Sequence, residues 1–181
     1  MQRVGTLEFE SVLEHQGDVA PVVYEALKLR GDAQDVGVSS IDPTLSDTAS
    51  FCEAYNISAS ESANCVVLKT KKGTERGFAA CVVLASTRAD INGKVCDVLS
   101  IKGASFAPME EAVALTGMEF GAITPIGLPL LWPILIDSRV AQAPYIIIGS
   151  GVRGSKIVTP GAFLSTFPNV QVIEGLAAPR Q

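Results

Sequence analysis

The chain has 181 residues, 48% hydrophobic and 18% charged, a balance that places it with folded globular proteins and excludes a disordered one. A net charge of -5 argues against tight, nonspecific nucleic-acid binding, which depends on Lys and Arg facing phosphates. No apolar run reaches the ~18–20 residues of a membrane span, and the charged first ten residues do not read as a secretion signal, so the expected setting is cytoplasmic, with no membrane partner.

In chain order, Val19, Val22, Val23, Ala26 and Leu27 follow a helical spacing, with Asp18 as N-cap, Pro21 in the first turn and Gly31 past the end. A short strand is expected around Val36 to Ile41. Asp47 caps a second helix, Thr48 to Ala54, that buries Phe51 and Cys52. A polar stretch leads into a strand at Asn64–Lys69, and Lys71-Lys72-Gly73 marks a hairpin turn into Phe78–Leu84. A short helix near Lys94–Leu99 and a strand at Ala104–Ala107 follow. Pro108 opens a helix with Glu110 and Glu111 in its first turn, and Gly117 ends it. Further strands are expected at Ile134–Ile136, Tyr145–Ile148, around Ile157 and at Val170–Ile173, with the final residues as a loose tail.

Charge is unevenly spread. Residues 1–68 carry three basic and eleven acidic side chains, whereas residues 69–156 carry ten basic and seven acidic. The second part can therefore receive a strand end despite the acidic total. The four cysteines, Cys52, Cys65, Cys81 and Cys96, form no close pair, and His15 is the single histidine, so a metal site is not expected and the thiols read as core. The same scarcity leaves no Ser-His-Asp or Cys-His arrangement, and His15 reads as an ordinary hydrogen-bonded residue.

Between Gly117 and Pro133 lies a stretch rich in glycine and proline that suits neither helix nor strand. Long loops in compact domains are frequently functional. Glycines let a backbone approach a ligand and aim N–H groups at an oxygen, and Pro125 and Pro129 stiffen the loop. Asp137, at a strand end, either faces this loop or caps the Ser138–Ala141 turn. Trp132 either joins the core or stacks on a base. Gly149 to Gly154 spell GxGxxG after a strand, but the β-branched segment ending in Pro160 leaves no room for the helix of a dinucleotide-binding unit.

Leu115-Thr116-Gly117, then Gly121 to Gly127, then Ile134 to Asp137, then Gly149-Ser150-Gly151 stand in an order that resembles the YbaK/prolyl-tRNA-synthetase editing-domain family. Phe78–Leu84, Asp90, Lys102 and Ala104–Ala107 fit the same order, and the likeness runs from about residue 47 to 165. It implies an α+β (mixed α/β) fold: a curved, largely antiparallel, partly open barrel-like sheet flanked by short helices. One domain is expected over residues 1–181, with an N-terminal part at 1–46, the family core at 47–165, and a last strand and tail at 166–181.

The resemblance implies a free-standing trans-editing hydrolase that deacylates mischarged aminoacyl-tRNA, with no cofactor. The expected partners are a tRNA acceptor end carrying an amino acid and a synthetase. Catalytic roles fall to Asp137, Asn64 and Gly121, and substrate binding to Thr124, Pro125, Ile126, Gly127, Gly149, Ser150 and Gly151. Ile123, Ile126 and Leu128 would limit which side chain enters. The family carries a lysine at the start of the strand after its second helix, where this chain has Asn64; Lys69 is five residues on and on the opposite strand face. Two alternatives stand beside the hydrolase: a catalytically inactive module binding a nucleotide, amino acid or synthetase, and a homodimer joined through Ile134–Ile136 and Tyr145–Ile148.

Overall fold

The computed structural model describes residues 2–180. Its strands are β1 (Gln2–Val4), β2 (Leu7–Ser11), β3 (Gly37–Ser40), β4 (Ala63–Lys72), β5 (Glu75–Leu84), β6 (Thr87–Ala89), β7 (Gly103–Phe106), β8 (Ile134–Asp137), β9 (Ile146–Gly149), β10 (Ser155–Thr159), β11 (Val170–Ile173) and β12 (Ala177–Pro179). The helices are short: α1 (Pro21–Lys28), α2 (Thr48–Tyr55), α3 (Lys94–Leu99), α4 (Met109–Thr116), α5 (Ser138–Ala141) and α6 (Gly161–Leu164).

One sheet runs β1-β2-β3-β10-β9, antiparallel throughout. The other runs β11-β8-β5-β4-β7, with β8 parallel to both β5 and β11. A lone parallel bridge, Ser62 to Ile147, joins the start of β4 to β9. The sheets therefore curl toward each other, giving the α+β, largely antiparallel, partly open barrel that the motifs imply.

Apolar runs such as Ile146–Ile148 are buried on both faces, and the period of two sends alternate residues to different cores. Ile146 and Ile148 join Val23, Leu27, Val82 and Ile157 between the sheets, while Ile147 turns to Phe9, Phe51 and Val158 beneath α2. Likewise Val67 faces the first cluster, and Leu68 faces Cys81, Val95 and Leu135 beneath α3. Deleting a side chain such as Phe51, which is fully buried, costs about 3–5 kcal/mol.

Several expectations change. Asp18 lies in a short turn, and α1 begins at Pro21 with Ala20 as its N-cap, because Pro21 sets the helical φ itself. The tail is not loose over its described part, residues 177–180, and Gln181 lies outside the described residues: Ala177–Pro179 pairs with Thr87–Ala89, and Arg180 Nε donates to the Thr87 carbonyl at 3.1 Å. Of the expected dimer surface, Ile134–Ile136 and Ile146–Ile148 are at most 2% exposed and Tyr145 alone is partly exposed, so these two segments offer almost no face to a second copy. Among the described residues, no helix is long and apolar enough to cross a membrane.

Candidate functional site

β4 is the strand around which the site forms. Along one edge it pairs with β5 over its full length. Along the other it meets β9 only at Ser62 and β7 only from Leu68 onward. Odd-numbered residues turn their peptide groups to this second edge: Glu61 O accepts from Ile147 N at 2.8 Å, and Val67 O from Ala107 N at 2.9 Å. Cys65, between them, presents its peptide groups to a gap where no strand lies.

That gap is the floor of a cleft of about 1250 Å³. Ala63 to Val67 form the floor, Gly121, Ile123 and Gly149 one wall, and Arg88 to Asn92 with Ala178 to Arg180 the other. Phe106, Met109 and Phe120 stand at the cleft and are 57%, 53% and 52% exposed. Asp47, Thr48 and Lys156 also line it.

Of the expected site residues, Asn64, Gly121 and Gly149 share this cleft, and so does Ile123. Thr48 Oγ1 donates to Asn64 Oδ1 at 2.7 Å, fixing the amide against the first turn of α2. The Asp47 carboxylate accepts from Ser50 N as the cap of that helix, and the bonds from Ser50 hold its pKa below the usual carboxylate value.

The remaining expected residues stand behind the cleft wall. Ser150 is fully buried; its hydroxyl has the Val152 and Ser155 carbonyls as acceptors for its one proton and lies 2.7 Å from Ser155 Oγ. Gly151 N donates to Ala122 O at 2.8 Å, and Gly151 O accepts from Glu119 N at 2.8 Å. These bonds clamp the glycine-proline loop to the end of β9. Thr124, Pro125 and Ile126, within that loop, are buried. A Cβ on Gly127 would fall 2.6 Å from the Val22 carbonyl, so this glycine serves close packing on α1.

Asp137 takes the second of its two alternatives. Oδ1 accepts from Arg139 N at 3.0 Å and from Arg139 Nε at 2.8 Å; Oδ2 accepts from Arg139 Nη2 and from Ala177 N, both at 3.0 Å. Burial raises its pKa, but the Arg139 side chain and the two backbone donors outweigh it and hold the carboxylate below its usual value. Its lone pairs are committed to capping α5 and anchoring the last strand.

Cys65 lines the cleft, yet burial raises its thiol far above the ordinary value, and Cys81 is pushed up to about 12. Neither is a thiolate nucleophile near neutral pH. Among the described residues no group of three or more His, Cys, Asp or Glu could hold a metal. His15 bonds Asp18 and Glu10, and Trp132, 8% exposed, stacks on Phe78 with centroids 5.0 Å apart.

Sequence reasoning missed Arg88, Arg180, Phe106 and Phe120. The signal available was exposure of aromatics at the ends of elements, and a tail treated as loose hides its place in the wall.

A family model described as the aminoacyl-tRNA editing domain matches residues 42–167. A solved structure described as a proposed trans-editing enzyme for prolyl-tRNA synthetase is similar, with TM-score 0.73 and 21% identity over 86% of this chain and 94% of that one. A scaffold protein from a computational epitope-grafting study gives TM-score 0.73 and 20% identity, over 86% of this chain and 95% of that one. A protein of Marinobacter aquaeolei VT8, described as a proposed signal transduction protein, gives 0.56 and 18%, with 87% of this chain matching only 30% of that chain. No curated protein sequence matches. The structural likenesses speak to fold, and the family match, spanning more than half of the residues, speaks to kinship: the chain belongs to the YbaK-like aminoacyl-tRNA editing-domain family.

Proposed function

We propose that this protein is a free-standing deacylase that hydrolyses the ester of mischarged aminoacyl-tRNA, with the acylated 3′ end held in the cleft around β4. The observation that carries the reading is the composition of the cleft. Two half-exposed phenylalanines and two arginines surround a floor with a free strand edge. Exposed aromatics stack on bases, arginines meet phosphates, and backbone groups hydrogen-bond a ribose or an ester.

In this reading Phe106 and Phe120 stack the terminal bases, and Arg88 and Arg180 meet the backbone. Asn64 and the peptide groups of Cys65 orient the aminoacyl ester, and Gly121 and Gly149 let it lie close to the wall. Ile123 limits the side chain that enters, at ~1–3 kcal/mol per methylene. An aminoacyl ester is already activated, so orientation and hydrogen bonds to the developing oxyanion supply most of the acceleration. Thr124, Pro125, Ile126, Gly127, Ser150, Gly151 and Asp137 hold the wall rather than the substrate. The setting is cytoplasmic, and a synthetase is the natural source of substrate.

The test is a panel of mischarged tRNAs incubated with purified protein. Loss of the acyl group from at least one, abolished by Asn64→Ala, is the expected result. A panel left intact beside a control deacylase would sink the reading. The neutral Asn64, with its carbonyl oxygen already engaged by Thr48, favours one alternative: a binding module without hydrolysis. Hydrolysis appearing only in Asn64→Lys would establish that alternative.

A further inference from the structure

Lys156 lies in β10 opposite Gly149 and Ser39, is only 8% exposed, and lines the cleft. Its Nζ donates to the Ser46 carbonyl at 3.1 Å and stands 4.9 Å from the centroid of the Phe51 ring. It makes no ion pair with a carboxylate among the described residues.

An ammonium has three protons to donate, and burial without a counter-charge is costly. Burial outweighs the nearby charges, of which Asp47 favours the ammonium and Arg153 opposes it; Cys52 would favour it only as a thiolate, and burial keeps that thiol protonated. The net effect lowers the Lys156 pKa to about 8, which leaves the side chain mostly charged at neutral pH but under-paired. One short segment ties this cation to the rest of the site. Ser46 holds Lys156, and Thr48, two residues on, holds Asn64. The neutral amide and the cation are thus both tied to residues 46–48, and both line the cleft.

We propose that Lys156 is the anion receptor of the cleft, its ammonium steadied by Ser46 and Phe51 and its free donors given to a phosphate oxygen of the bound strand end. The identity of that anion rests on the editing reading above; the receptor itself rests on the burial, partners and position of Lys156. Arg88 and Arg180, exposed on the opposite wall, would then meet phosphates farther out, while Lys156 meets the one nearest the ester.

The experiment titrates a labelled RNA hairpin with a single-stranded CCA end, and separately AMP and inorganic phosphate, into wild type and Lys156→Met at pH 7. A charge-assisted bond is worth ~10–150-fold in affinity, so the variant should bind the hairpin at least ~10-fold more weakly. Wild-type affinity should also fall between pH 7 and pH 9 as the lysine loses its proton, and the variant's should not. Melting curves verify folding, and removal of an under-paired buried charge should leave the variant melting no lower than wild type. Equal binding of all three probes by both proteins would overturn the proposal. If wild type ignores the hairpin but binds AMP or phosphate through Lys156, the receptor stands and the editing reading falls.

Discussion

A Cβ placed on Gly149 would lie 2.3 Å from the carbonyl oxygen of Ala122 and 2.8 Å from that of Ile123. The end of β9 and the glycine-proline loop thus meet backbone to backbone, and their contact forms a cleft wall. A methyl group there cannot be absorbed by a side-chain rotation. Gly149→Ala should therefore cost about 1–3 kcal/mol in denaturant unfolding and weaken substrate binding as the loop moves. Gly103→Ala is the control, because no atom lies within 4 Å of its added carbon. An unchanged midpoint for Gly149→Ala would show that the loop yields freely.

Asp137 is predicted to matter for folding and not for chemistry. Removing it leaves the Ala177 N–H without its acceptor and the half-exposed Arg139 guanidinium with only the Ala177 carbonyl, and Asp137→Ala should lose about 1–3 kcal/mol. Because the folded-state pKa lies below the unfolded one, its stabilisation is complete above the unfolded carboxylate value and is lost as pH falls through the folded value. Asp137→Asn should flatten that acid limb while each folded molecule keeps its hydrolytic rate. A variant that melts normally yet loses ~100-fold or more in rate would return Asp137 to the chemistry.

These two residues show what the chain reveals before it is folded. Gly149 and Asp137 were both found by motif, because glycine spacing and strand-end polarity are local signals. Whether a carboxylate is free or committed is not local: it depends on Ala177, forty residues away. The positions of β4, β5, β8 and β9 were legible from their apolar runs, and α4 from Pro108 and Gly117. The three-residue strands β6 and β12 were not, since each exists by pairing with the other. Lys156 escaped notice for a related reason. In sequence it is one more lysine after a glycine turn, and only the packing of α2 over β10 buries it.

Lys156 also makes a stability prediction independent of any ligand. Its folded-state pKa, about 8, lies below its unfolded value, so the unfolded chain binds the extra proton between roughly pH 8 and 10.4. Stability contributed by this group should rise with pH through that window, and the burial cost below it is on the order of 3 kcal/mol. Cys65 and Cys81 act in the opposite sense at high pH, because their raised pKa values keep them protonated in the folded state. The difference between wild type and Lys156→Met isolates the lysine. Guanidinium melts at pH 7 and pH 9.5 should show a gap in favour of the variant that narrows at the higher pH. A constant gap would mean that the lysine is not depressed.

The aromatic side chains give the most direct separation of binding from folding. Phe106 and Phe120 are more than half exposed, so truncating either removes little core, and the melting temperature should move only slightly. A base stacked on such a ring is worth ~1–3 kcal/mol, or roughly 5–150-fold in affinity. Phe120→Ala and Phe106→Ala should each raise KM for a mischarged tRNA within that range, with a smaller effect on kcat because the rings lie away from the ester. Phe120→Trp should restore binding, since a larger π-face stacks at least as well. Leu131, 94% exposed and outside the cleft lining, is the matched control: Leu131→Ala should leave KM unchanged. If all three alanine variants behave alike, the phenylalanines are ordinary surface residues, and the strand end reaches the cleft by another route.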